Sequence, residues 1–240
     1  MSLDDARAVL TNATRITSFS GAGLSAESGI ATFRDTPDSH WSRYDPTRLA
    51  SPEGFADDPD LVLNWYGDRR RDIAAASPND AHRALANCPA VTHVTQNVDD
   101  LLERAGASDV IHLHGTIGAD RCHAECGFRE TIDMADPPHR RPCPTCGAPM
   151  RPAVVWFGEM LPADAWEAAL STIEHCDVLL VIGTSAVVYP AAGLIDVARQ
   201  GGARVVVVNP EASGATGDAD IEIRATAGEA VPILLADLTQ

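Results

Sequence analysis

The 240 residues carry 34 acidic side chains against 18 basic ones, a formal net charge of −16, and all of the basic ones are arginine. That balance opposes non-specific binding to nucleic acid but leaves a basic peptide open as a partner. No run of about 18 apolar residues occurs, which excludes a transmembrane helix, and the acidic start MSLDDARAVLTNATR lacks the build of a signal peptide, so a cytoplasmic address is expected.

The length suits one domain, or one domain with a large insertion. Two explanations fit the missing lysines and the spread of acid along the chain: GC-rich coding that favours arginine, or a halophile-type surface kept hydrated in concentrated salt.

Taken in chain order, RITSFS reads as a short buried strand, and it runs into GAGLSAESGIATFRD at Gly21. Gly21, Gly23 and Ala26 fill the G-x-G-x-x-G/A positions of a dinucleotide-binding loop. A redox-type loop would open at once into a helix and reach a ribose-binding acid roughly 20 residues on. Here two serines, a third glycine and a proline-rich stretch follow instead, so a nucleotide-like ligand is expected without hydride transfer. LVLNWYGDRRRDIAAA then predicts a helix. AVTHVTQNVDDLLERAG reads as strand, polar turn and short helix, and DVIHLHGT as a further strand. Near the C-terminus VLLVIGTS and ARVVVVNPE are apolar runs of the kind buried on both faces of a parallel sheet. PAAGLIDVARQGG between them reads as a helix closed by a glycine pair, and GEAVPILLADL as a closing helix.

Strands alternating with helices indicate an α/β fold, a Rossmann-like doubly wound parallel sheet whose ligands sit at the carboxyl ends of the strands. Five strand exits, GAG, TQNVDD, HLHGT, GTS and NPE, carry small or polar residues and mark that edge as the expected active site. Residues 1–33, 76–117 and 152–240 are assigned to the Rossmann-like domain. Residues 34–75, a loop and a helical part, and 118–151, a zinc ribbon, are assigned to a smaller inserted subdomain.

The ribbon assignment rests on four of the six cysteines. Cys122 and Cys126 in RCHAECG and Cys143 and Cys146 in RPCPTCG form two close pairs, each followed by glycine, which match a tetrahedral zinc site. A disulfide is disfavoured by the expected compartment. Redox activity would want a C-x-x-C at a helix start, and CPTCGAP is loop-like. His123 could replace one cysteine, but four thiolates already complete the site and leave no open position, so one structural zinc per chain is expected. Cys88 and Cys176 read as ordinary buried thiols.

With these pieces in order, the sequence resembles the sirtuins, the NAD-dependent protein-lysine deacylases, from about Arg15 to Leu234. GAGLSAESGIATFR is similar to the family's cofactor loop, TQNVDDLLERAG to its T-Q-N-x-D segment, and HLHGT to the strand exit with the catalytic histidine. CGAPMRPAVVWFGE is similar to the passage from the second cysteine pair to the substrate-binding strand. The resemblance implies that NAD is a consumed co-substrate, cleaved between nicotinamide and ribose, with the acyl group ending on ADP-ribose. It implies acyl-lysine proteins or peptides as partners, and neither a membrane nor direct nucleic-acid binding.

It further implies His114 as general base, with His112 a nearby rival and strand capping the plainer reading. Gly21, Ala22, Gly23, Ser25, Phe33 and Arg34 would contact the cofactor, as would Gly183, Thr184, Ser185, Asn209, Pro210, Glu211 and Ala227. Gln96, Asn97 and Asp99 would bind the ribose and nicotinamide, although a turn of this kind also caps helices. Val155, Trp156, Phe157 and Gly158 would line the acyl-lysine site. Tyr66 and Arg69, three residues apart on one helix face, resemble the Y-x-x-R pair of the branch that removes succinyl and malonyl groups. The competing reading of that face is a solvated basic one, extended by Arg70 and Arg71. A mono-ADP-ribosyltransferase on the same fold is the alternative activity. A zinc-ribbon nucleic-acid binder lacks the basic surface, and a dehydrogenase lacks a hydride-site pattern.

Overall fold

The structure, a computed structural model, describes residues 2–31 and 45–238; the expected cofactor contacts Phe33 and Arg34 lie outside the described residues. A Ser2–Asp5 capping box starts α1 (Leu3–Thr11), which leads into β1 (Ile16–Ser20) and two 3₁₀ turns, Ala22–Leu24 and Ala26–Ser28. After the undescribed segment come α2 (Pro46–Leu49), α3 (Pro52–Asp57) and α4 (Pro59–Ala75). A proline in the first turn and a side-chain cap, Ser51 or Asp58, start α3 and α4. Next are α5 (Asp80–Ala86), β2 (Val91–Thr95), α6 (Leu101–Arg104) and β3 (Ile111–His112). The chain then leaves the main sheet for β4 (Gly115–Cys122), β5 (Arg129–Thr131) and β6 (Met150–Val154). It returns through α7 (Ala163–Glu174), β7 (Val178–Ile182), α8 (Leu194–Gln200), β8 (Arg204–Val208), β9 (Ile221–Ile223) and α9 (Ala227–Leu235).

The large sheet is all parallel in the order β3-β2-β1-β7-β8-β9. Numbered by its own strands this is 3-2-1-4-5-6, the doubly wound order, with the reversal between β1 and β7. Every residue of those two strands is buried, because helices cover both faces of the sheet. One face packs Leu10 of α1, Leu85 of α5 and Leu234 of α9 against Ile16, Leu180 and Val206. The other packs Ile173 of α7 and Leu194 of α8 against Phe19, Leu179 and Val207.

DVIHLHGT is therefore only in part a strand of this sheet: pairing ends at His112, and Gly115 already belongs to the small antiparallel sheet, ordered β5-β4-β6. His114 sits in the two-residue passage between the sheets. The small sheet begins three residues before and ends three residues after the 118–151 segment.

Helix α4 lies over β4 and β6, burying Val62, Trp65, Tyr66 and Ile73 with Ile117 and Trp156. Its arginines do not form one solvated face. Arg70 is 1% exposed, donates to the carbonyls of Ile117 and Ala119, and pairs with Asp120 at 2.6 Å. The reading of Arg70 as part of a surface stripe is corrected: successive helical residues are about 100° apart, and here that rotation points Arg70 into the protein.

Candidate active site

The reversal between β1 and β7 brings two glycine-containing exits together. Gly23 N–H donates to the carbonyl of Gly183 at 2.8 Å, and a Cβ on Gly23 would lie 2.6 Å from the Gly183 Cα. A Cβ on Gly21 would meet Thr184 at 2.9 Å. Both glycines are thus required by the packing of one loop on the other, before any ligand is considered. The Gln96 side chain closes the group by donating to Thr184 Oγ1 at 2.9 Å, and Asn209 Nδ2 donates to the Thr184 carbonyl at 3.3 Å. Gly21, Gly23, Gln96, Gly183, Thr184 and Asn209 therefore meet at one crevice. Ala22 and Ser185 are half-buried beside it, Pro210 and Glu211 are exposed, and the Ala227 side chain is buried.

Behind the loop, the Ser25 hydroxyl is a saturated hub. It donates to Asp99 Oδ2 at 3.0 Å and accepts from Asn97 Nδ2 at 3.2 Å. His82 Nε2 stands 3.4 Å away. The other ring nitrogen of His82 accepts the Asn79 N–H, so the ring is neutral with its proton on Nε2. Burial, and then the nearby Arg83, pull the His82 pKa down to about 4. Burial raises Asp99 above the ordinary carboxylate range, and its Oδ1 also caps Leu101 N–H, so capping and site placement coincide. The sequence signal for His82 was its place three residues after Asn79 in a capping box; nothing local announced its reach to Ser25.

His112 and His114 separate clearly. His114 Nδ1 lies 3.0 Å from the carbonyl of Gln96, which fixes the proton on Nδ1 and leaves Nε2 as the basic nitrogen. Burial lowers its pKa, so the ring is neutral at pH 7. Its own carbonyl accepts the Val155 N–H at 2.9 Å, joining the histidine to the chain leaving β6. His112 instead turns toward α6, with Nε2 2.6 Å from Glu103.

Val155 is half-buried, and Phe157 and Gly158 are exposed. Trp156 is not an open wall: it is 1% exposed, packs on Phe55, and donates its indole N–H to the Tyr66 hydroxyl at 2.9 Å. It backs the wall. The Arg151 guanidinium lies 3.9 Å over the Trp156 ring and pairs with Glu159, which also accepts the Trp156 N–H at 2.9 Å. Glu159 is thus a tie beneath the turn, a role that its place at the end of an apolar run did not signal. Arg69 is half-buried with its guanidinium 5.2 Å from the Trp65 ring, and burial lowers its pKa.

The four cysteines converge. Their sulfurs all lie within 4.8 Å of one another, with Cys122 and Cys146 3.4 Å apart and Cys126 and Cys143 3.6 Å apart. A tetrahedron with Zn–S bonds of about 2.3 Å has edges of roughly 3.8 Å, so the donor set fits a structural zinc. Gly127 and Gly147, following the second cysteine of each pair, have φ of 88° and 78°, the left-handed turn such knuckles need. No helix among the described residues is long and apolar enough to cross a membrane.

The Sir2 family model matches residues 21–190. A relative from Methylococcus capsulatus, named NAD-dependent protein deacylase, is 49% identical over 246 residues, covering 98% of this chain and 96% of its own. A crystal structure of a Sir2 homologue–NAD complex superposes with a TM-score of 0.92 at 41% identity, covering 99% of this chain and 94% of the other. A Sir2 homologue variant in complex with 2′-O-acetyl ADP-ribose gives 0.91 at 41% identity, covering 99% and 96%.

Proposed function

The chain belongs to the Sir2 family and is an NAD-dependent protein deacylase, and from that premise we propose that His114 Nε2 is its general base. The observation that carries this is the Nδ1 contact with the Gln96 carbonyl at 3.0 Å, which orients a neutral ring whose other nitrogen can take a proton. NAD supplies the ADP-ribose that accepts the acyl group, and 2′-O-acetyl ADP-ribose in a homologue's complex supports that product. The crevice between the β1 and β7 exits, with Ala22, Ser25, Ser185, Asn97 and Asp99 around it, would hold the cofactor; Asn209, Pro210, Glu211 and Ala227 would border its adenosine end, and Phe33 and Arg34 would cover it.

An acyl-lysine peptide would add along β6, which pairs only with β4 among the described residues, with Val155 and Phe157 on either side of the lysine. A succinyl or malonyl group ends in a carboxylate that must be paired when it leaves water. Arg69 can offer a bidentate guanidinium. The Tyr66 oxygen accepts from Trp156, so its own proton remains to be donated, and burial keeps that phenol protonated.

The test is a panel of acetyl-, succinyl- and malonyl-lysine peptides with NAD, followed by mass spectrometry. Folded His114→Ala should form no deacylated peptide; retained activity overturns the base assignment. Arg69→Met should lower desuccinylation by the worth of a charge-assisted hydrogen bond, roughly 1.5–3 kcal/mol, and spare deacetylation. Equal loss of both would end the selectivity reading. ADP-ribosylated protein in place of free lysine would favour the transferase alternative.

A further inference from the structure

The turn expected to hold NAD is tied from behind by a histidine that the reaction does not use. Both ring nitrogens of His112 face oxygen. Nδ1 lies 2.9 Å from the Asn97 carbonyl and Nε2 lies 2.6 Å from Glu103 Oε1. A carbonyl oxygen can only accept, and an ionised carboxylate can only accept. A neutral imidazole has one N–H and can satisfy one of them; only the imidazolium satisfies both. His114, two residues on, has one such contact and stays neutral.

We infer that His112 is a positioning residue held as an imidazolium, clamping the Asn97 backbone to Glu103 and so fixing the turn that carries Gln96, Asn97 and Asp99. The groups around it are consistent in sign. Burial works against the charged ring, but the hydrogen bond and charge of Glu103, the Asn97 carbonyl and the Asp99 carboxylate together raise the His112 pKa. The same pairing outweighs burial at Glu103 and lowers its pKa. The other titratable neighbours add no competing cation at neutral pH. His82 on α5 and His93 on β2 are both held neutral by burial, and Asp100 in the turn is occupied by Arg104 at 3.6 Å. The side chain of His112 is 16% exposed and that of Glu103 41%, so the pair sits at the rim, where protons exchange freely.

The consequence is a second ionisation in the pH profile, distinct from that of the base. As pH rises through the His112 pKa, one of the two contacts is lost and the turn relaxes. The loss should appear in NAD binding, because this turn is read above as a cofactor contact and the inference rests on that reading. Removing Glu103 takes away the partner that holds the proton, so the ring should deprotonate about one pH unit lower.

The experiment measures KM for NAD and for an acetyl-lysine peptide from pH 6 to 9.5 in the wild type, Glu103→Gln and Asn97→Ala. The ¹⁵N shifts of the His112 ring are followed over the same range. A Gln side chain can accept from the imidazolium or donate to the neutral ring, so Glu103→Gln keeps both contacts at any pH. The roughly tenfold rise in KM for NAD that the wild type should show above the His112 pKa should be absent from this variant, with KM for the peptide unchanged in both. A loss independent of pH, or equal for NAD and peptide, marks Glu103 as merely structural and overturns the proposal. So does a His112 ring that is neutral at pH 7 in the wild type. If Asn97→Ala leaves NAD binding intact, the assignment of the turn fails first and the positioning role falls with it. If Asn97→Ala abolishes NAD binding while Glu103→Gln keeps the pH profile of the wild type, only the positioning role is lost.

Discussion

Arg70, Asp120 and Arg151 are all buried in and beside the small antiparallel sheet, whereas the strands at the centre of the large sheet bury nothing more polar than threonine and serine. The large sheet is held by aliphatic strands covered on both faces, a non-directional force spread over dozens of side chains. The small one cannot do this with β5 three residues long and exposed at both ends. It relies on four thiolates and on a chain of charges. Asp120 is shared between Arg70 at 2.6 Å and Arg141 at 2.7 Å, Arg141 also meets Glu130, and Glu159 joins Arg151 to Arg121. Dispersed burial fails gradually; a directional network fails when one member is removed. The site spans both, so cofactor and peptide sides should respond to different insults.

The largest effect should come from the metal. Cys143→Ser, or chelation, removes a donor set whose zinc is worth on the order of 10–16 kcal/mol to a structural site. The small sheet should lose protease protection and peptide turnover, while the large sheet keeps its far-ultraviolet circular dichroism and still binds NAD by calorimetry. One zinc per chain should be found by metal analysis, and a metal-free sample with full activity would remove the basis of the comparison.

Next is Arg70→Met, which leaves Asp120 half-paired in the interior. Breaking a buried pair by removing one partner costs roughly 3–5 kcal/mol. Denaturant unfolding should show that loss confined to the small subdomain, with acetyl and succinyl substrates affected alike because α4 shifts as a whole. Arg69→Met, one residue away, should instead shift the ratio of desuccinylation to deacetylation, which Arg70→Met should leave as it is.

In the large sheet Leu180→Ala should cost roughly 2–5 kcal/mol through lost burial and the residual cavity. The midpoint should fall without any change in zinc content or in preference among acyl groups. If the variant instead released zinc, the two halves would be a single cooperative unit.

The smallest effect is acid sensitivity at the hub behind the glycine loop. His82 has its pKa depressed to about 4 by burial, so below about 6.5 the unfolded chain takes up a proton that the folded chain refuses. Its contribution is therefore present above pH 6.5 and is lost progressively as pH falls toward 4. His82→Gln should flatten that limb of the stability profile, read as midpoint against pH. An unchanged slope would mean that His82 protonates in place.

Several features were decided by sequence because their physics is local. The runs VLLVI and RVVVV can be stable only where both faces are covered, and G-x-G spacing and paired C-x₂₋₃-C turns constrain the backbone within a few residues. These gave the α/β class, the crevice edge and the cysteine cluster. What tertiary structure alone decided are the partners that separate neighbours of the same type. The Y-x-x-R spacing singles out Arg69, but only Asp120, fifty residues after Arg70, makes Arg70 a buried strut rather than part of a solvated face. His112 and His114 are two residues apart in one motif, yet Glu103 charges the first, while the second has only the Gln96 carbonyl as partner and is left neutral by burial. Trp156 reads as a wall residue until Tyr66, ninety residues earlier, is found against its indole. In each case the role is set by a partner that only folding brings within hydrogen-bonding reach, and the interaction falls off too steeply with distance for sequence spacing to carry it.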